Sequence, residues 1–152
     1  MTDPLSSIHH YSPSLTITQV IKFCEKNGLP ISRPMIQNYI RDGLLPPPVN
    51  KRIYTHKHLA ALVMICHLKT VYDIPAIKEA ICPYLDDEGL PLDTYKWLVK
   101  KQQEVYNLWL QQVAPAIAAG PEDNHRLAVM AHVADLRQLS HGLEAPQNHD
   151  NM

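Results

Sequence analysis

The chain has little of almost everything that marks a specialised class. Its three cysteines, Cys24, Cys66 and Cys82, are odd in number and widely spaced. That excludes a disulfide framework and points to a reducing compartment. No apolar run approaches the ~20 residues of a membrane span; the longest, Leu59 to Cys66, has the length of a core helix segment. Met1 to Pro13 lacks a basic stretch followed by an apolar one, so no secretion signal is read there. A soluble, cytoplasmic protein without a membrane partner is expected. Five glycines are too few for phosphate-cradling loops, and the acidic pair Asp86-Asp87 has no serine or histidine set beside it. No enzyme and no cofactor are expected. Histidine is plentiful, but no Cys-x-x-Cys or His-x-x-x-His spacing occurs, and His56 and His58, two apart, do not share a helix face. No metal site is expected.

Excess charge is also lacking: the formal total over 152 residues is -1. On that total a nucleic-acid binder looks disfavoured. The total hides a division. Residues 1–85 carry nine basic and five acidic side chains, a net +4, and residues 86–152 carry five basic and ten acidic ones, a net −5. Within 33–57 five cations face one acid, Asp42. A basic N-terminal module joined to an acidic half fits a nucleic-acid partner, while incidental segregation of a solvated surface is the alternative.

What is present reads as helices with stiff connectors. One phenylalanine and almost no strand-like alternation argue against a β-rich fold, and the 13 prolines stand where elements start or stop. Thr16 and Gln19 form a capping box for a first helix that Gly28 ends. Ser32 caps a second helix with Pro34 in its first turn, ending at Gly43. With Arg33 at 0°, Gln37 lies near about 40°, Arg41 near about 80° and Asn38 near about 140°, while Met35, Ile36, Tyr39 and Ile40 take the other side. One face is core. The other carries side chains that reach phosphates and base edges.

Pro46, Pro47 and Pro48 favour an extended segment, Asn50-Lys51 a turn, and Arg52-Ile53-Tyr54 a return strand, so a short hairpin tipped by two cations is expected. Thr55 caps a third helix, with Leu59, Leu62, Val63 and Cys66 as its core stripe. Backbone N–H groups at Tyr54, Thr55 and Lys57 are placed to hold a phosphate. Asp73 caps a fourth helix that Pro83 ends. Asp93 caps a long helix to about Val113, broken by Pro115 and Gly120, and a last helix runs from Pro121 to about Leu143. The long helix carries an apolar arc about twice the ~100° that an ordinary surface helix needs. Trp97, Leu98, Val105, Leu108 and Trp109 on it are read as a dimerisation face.

The order of these features resembles the winged-helix DNA-binding domain of MerR-type transcription regulators. Ile36 to Leu45, with three residues between Tyr39 and Gly43-Leu44-Leu45, is similar to that family's recognition-helix signature, and Lys51-Arg52-Ile53-Tyr54 to its wing. The resemblance covers about residues 16–82. More narrowly, Met35 to Pro48 followed by Lys51 to Thr55 is similar to an uncharacterised bacterial family, described as a domain of unknown function, that is itself MerR-like. Gln37 and Asn38 stand where the MerR pattern has an arginine and the first of two aromatics, and Asn50-Lys51 replaces the usual Gly-Tyr. The contact pattern must therefore differ.

The resemblance implies a mainly all-α fold: a winged helix-turn-helix of MerR type with a small β-hairpin wing, then a helical dimerisation region. The expected organisation is a flexible tail over 1–14, the winged-helix DNA-binding domain over 15–83, an acidic connector over 84–92, a helical dimerisation or effector region over 93–143, and a flexible tail over 144–152. The expected function is sequence-specific transcription regulation as a homodimer, with helix 33–42 in the major groove and wing 46–54 on the backbone. The DNA-binding residues are Arg33, Gln37, Asn38, Tyr39, Arg41, Lys51, Arg52, Tyr54, Thr55 and Lys57. Partners are double-stranded DNA, a second copy, and RNA polymerase or another protein. A protein-interaction adaptor that uses the same scaffold without DNA is the alternative.

Overall fold

The computed structural model describes residues 3–144, with side chains as far as Ser140. The chain divides into two compact units, 1–103 and 104–152. The first holds α1 (Ile17–Lys26), α2 (Arg33–Arg41), α3 (His56–Leu68), α4 (Ile74–Ile81) and the start of α5 (Leu92–Leu108). The second holds the end of α5, a π-helical turn Trp109–Val113, α6 (Ala114–Ala118) and α7 (His125–Glu144).

Local chemistry sets the helix ends. The Thr16 hydroxyl accepts from the Gln19 N–H and the Gln19 side chain accepts from the Thr16 N–H, a complete capping box. Ser32 and Asp73 accept from the third residue of α2 and of α4. Gly28, at φ +68°, lets its N–H reach Glu25 O and the Leu29 N–H reach Cys24 O. Gly43, at φ +76°, repeats the pattern on Ile40 O and Tyr39 O. These are Schellman endings, in which a left-handed residue satisfies the last carbonyls. The second one turns Leu44 and Leu45 straight into the core, where both are buried.

The core is built around α3. His58 through Ile65 are all buried, so this helix is covered on every side rather than along the single stripe expected from Leu59, Leu62, Val63 and Cys66. Val20, Phe23, Ile36, Tyr39, Ile77, Ile81, Leu90 and Tyr95 pack around it.

The fold is all-α, but the β-hairpin wing is not formed. Among the described residues there is no strand, only isolated bridges, including Val49 with Ile53 and Leu15 with Tyr54. The reason is donor supply. Pro46, Pro47 and Pro48 have no N–H, so the Val49–Ile53 bridge has nothing to extend into. Tyr54 pairs across the chain instead, exchanging two 2.8 Å hydrogen bonds with Leu15.

Four other expectations are corrected. Of the tail expected over 1–14, the described part is packed: Pro4–His10 forms a 3₁₀ turn, Leu5 is buried, and Tyr11 meets Phe23 edge-on at 5.4 Å. Asp3 ties it down, accepting from Leu5 N–H and, at 2.7 Å, from the Tyr95 hydroxyl. The connector over 84–92 is folded: Asp86 bridges to Gly89, and Leu90 N–H donates to Lys57 O at 3.0 Å. Gly89, at φ +137°, lies so close to the Lys57 carbonyl that a Cβ would overlap it. Pro115 does not break the helical run, because the π-helical turn ahead of it absorbs the carbonyl its ring would strike. Asp93 is inside the first turn of α5 rather than its cap. Residues 145–152 of the second expected tail lie outside the described residues.

Candidate nucleic-acid interface

The outward face of α2 is polar and cationic. Arg33, Gln37, Asn38 and Arg41 are exposed, whereas Ile36 and Tyr39 on its other side are buried. Arg41 Nε and Asp42 Oδ1 stand 3.5 Å apart with side chains 71% and 48% exposed. An ion pair that open is worth at most about 1 kcal/mol, so it does not withhold Arg41 from a stronger anion.

Lys51 and Arg52 are exposed on the turn that the Val49–Ile53 bridge closes. Asn50 and Lys51 have φ of 51° and 65°. Two consecutive positive values are what a tight type I′ connection requires, normally with Gly second. Lysine there costs roughly 1–2 kcal/mol in backbone strain. The turn is held by its base rather than by strands. Buried His58 accepts the Thr55 N–H at Nδ1, 3.0 Å, and donates from Nε2 to Pro47 O at 3.1 Å. Both bonds require the neutral ring with its proton on Nε2. Burial holds the His58 pKa below its ordinary value.

Four expected DNA contacts are placed otherwise. Tyr39 is 5% exposed, and its hydroxyl accepts from Lys69 Nζ at 3.0 Å. Tyr54 is buried against the His58 ring, centroids 5.2 Å apart; burial raises its pKa, and Arg33 lies near enough to pull it partly back. Thr55 is spent as the cap of α3. Lys57 Nζ is paired with Asp86 Oδ2 at 2.8 Å. That bond raises the Lys57 pKa. Burial works to raise Asp86, but the bonds from Lys57 and from the Glu88 and Gly89 N–H groups outweigh it and hold the carboxyl below its usual value. The remaining set is Arg33, Gln37, Asn38 and Arg41 on α2 with Lys51 and Arg52 on the turn.

Sequence reading missed His58, Lys69 and Asp86. His58 alone carried a signal, three residues after the Thr55 cap, where a capping-box side chain belongs. Cys24 is buried, and burial pushes its thiol up to about 12, the state of an inert core thiol. Among the described residues no group of three or more His, Cys, Asp or Glu stands together to hold a metal ion, and no helix is long and apolar enough to cross a membrane.

The residues expected to dimerise are distributed unevenly. Leu98 packs half-buried on the core of the first unit, and Trp97 is 58% exposed. In the second unit Val105 and Leu108 are exposed, Trp109 is half-buried at the start of the π-helical turn, and Leu127, Met130, Val133, Leu136 and Leu139 are exposed along α7.

The first unit is thus an all-helical module whose second helix presents a polar, cationic face beside a cation-tipped turn. The model of the family described as "Domain of unknown function (DUF1836)" matches residues 12–109, and the chain belongs to that family. No curated protein and no solved structure matches the chain.

Proposed function

We propose that the chain is a sequence-specific, MerR-like DNA-binding transcription regulator of the cytoplasm, acting as a homodimer. The observation that carries this reading is the division of α2: Arg33, Gln37, Asn38 and Arg41 exposed on one side, Ile36 and Tyr39 buried on the other. Seated in the major groove, Gln37 and Asn38 offer the paired donor and acceptor that match adenine, and the arginines match guanine or phosphate. Lys51 and Arg52, on a turn with no strand ladder behind it, reach the adjacent backbone and fix register. The exposed apolar side chains of the second unit give the second copy its seat, so the operator is a pseudo-palindrome. RNA polymerase is a further partner of such a regulator.

Selection on random or genomic DNA fragments tests the reading. The wild-type chain enriches one site, with affinity falling steeply as salt rises. Arg41→Ala, Lys51→Ala and Arg52→Ala each lower the salt slope by about 0.9 for the phosphate contact removed. Lys57→Ala leaves the slope unchanged, because that ammonium is held by Asp86. No enriched site and no salt dependence would sink the proposal. The exposed apolar residues of the second unit favour one other reading, an adaptor that docks a protein and ignores DNA. A stoichiometric partner retained without any enriched DNA site would support that reading instead.

A further inference from the structure

A cavity of about 220 Å³ opens against the inner side of α2. Pro30 and Ile31 from the turn before α2, Met35 from α2 and Cys66 from α3 give it an apolar lining, and Tyr39, Lys69 and Thr70 supply the polar atoms. The Thr70 hydroxyl is committed to His67 O at 2.8 Å. The other two are not exhausted. Lys69 Nζ donates to the Tyr39 oxygen at 3.0 Å, which leaves the ammonium with further protons and the phenol with its own proton to give. The lining is therefore apolar along its length and carries two adjacent donors, one of them a full positive charge. No carboxylate is among the lining residues to neutralise it.

Size narrows the occupant. An apolar cavity of about 150 Å³ takes a benzene ring, and sites for drug-sized ligands begin at about 300 Å³. The space here suits one ring or a short branched chain plus a small anionic group, and is too small for a nucleotide. A bare inorganic anion would leave the Pro30–Ile31–Met35 wall unused. A neutral hydrocarbon would make no use of the protons that Lys69 and Tyr39 have left to give.

We propose that this cavity binds a small organic monocarboxylate with a compact apolar body, its carboxylate held by Lys69 and the Tyr39 hydroxyl. The site goes beyond the DNA-binding reading and does not depend on it, because its test contains no DNA.

Sodium benzoate is the probe, titrated into the isotope-labelled full chain and followed by amide NMR. Saturable shifts are expected at Ile31, Met35, Cys66 and Thr70, with affinity in the millimolar range. Lys69→Met, at an exposed position, is expected to weaken benzoate at least tenfold. Tyr39→Phe weakens it less and leaves the shift pattern in place. Benzyl alcohol, matched in shape but neutral, binds the wild type at least tenfold more weakly than benzoate, and inorganic phosphate gives no saturable shift at these amides. The proposal is overturned by an absence of saturable shifts, by shifts centred elsewhere, by Lys69→Met binding benzoate as well as wild type does, or by phosphate or benzyl alcohol matching benzoate.

Discussion

Lys51 is the residue at which backbone strain and charge pull against each other. Its φ of 65° is a conformation glycine adopts freely and lysine does not. Strain at an exposed residue persists when the side chain is wanted for something other than the fold. Lys51→Gly therefore relaxes the turn, and urea unfolding should show a gain of up to about 1 kcal/mol. The same substitution removes a cation from the proposed phosphate-gripping turn, so DNA affinity should fall while stability rises. A loss of stability would mean that the lysine side chain supports the fold and that the strain argument is wrong. At this scale the candidate face was largely legible, because the 100° spacing along α2 separates Arg33, Gln37, Asn38 and Arg41 from the core side with no tertiary information. Two of the residues placed otherwise have partners distant in the chain. Tyr39 finds Lys69 thirty residues on, and Lys57 finds Asp86 twenty-nine residues on.

Among elements, the four helices of the basic unit follow from local signals: Thr16 with Gln19, Ser32, Thr55 and Asp73 as caps, and Gly28 and Gly43 as stops. The segment from Pro46 to Tyr54 did not follow, because alternation and turn chemistry describe a hairpin while donor supply forbids one. That segment depends on His58, whose single ring bonds both the cap of α3 and the carbonyl of Pro47. The bonds need the neutral imidazole, and burial lowers the pKa in the folded state. As pH falls below about 6.5, the ordinary histidine value, the unfolded chain takes up a proton that the folded chain refuses, so stability declines. His67, lowered in the same direction by burial, adds to the slope. His58→Gln keeps an acceptor for Thr55 N–H and a donor for Pro47 O but cannot titrate. Urea melts between about pH 5 and pH 7 should show a slope shallower by up to one proton in the variant. An unchanged slope would place the titration elsewhere.

The whole-chain charge of -1 conceals a division along the chain, and the proposed DNA partner rests on that division. The structure adds that part of the acidic half folds back on the basic one, with Asp86 on Lys57. The second unit, read alone, exposes Val105, Leu108, Leu127, Met130 and Leu139, each at least 57% accessible. So much apolar surface within one small unit fits a surface that a second copy covers. Sedimentation at micromolar concentration should give a dimer, and Val105→Glu with Leu108→Glu a monomer; a monomeric wild type would remove the homodimer from the proposal. The absence of strands among the described residues has a further result. Aggregation by edge-to-edge β-pairing needs a row of free backbone donors and acceptors. The hairpin-like stretch 46–54 is fenced by Pro46, Pro47 and Pro48 on one side and closed by Leu15 on the other. A growing sheet therefore finds no strand as template among the described residues of the basic unit, and crowded solutions of the chain should lose it to apolar clustering before they lose it to fibres.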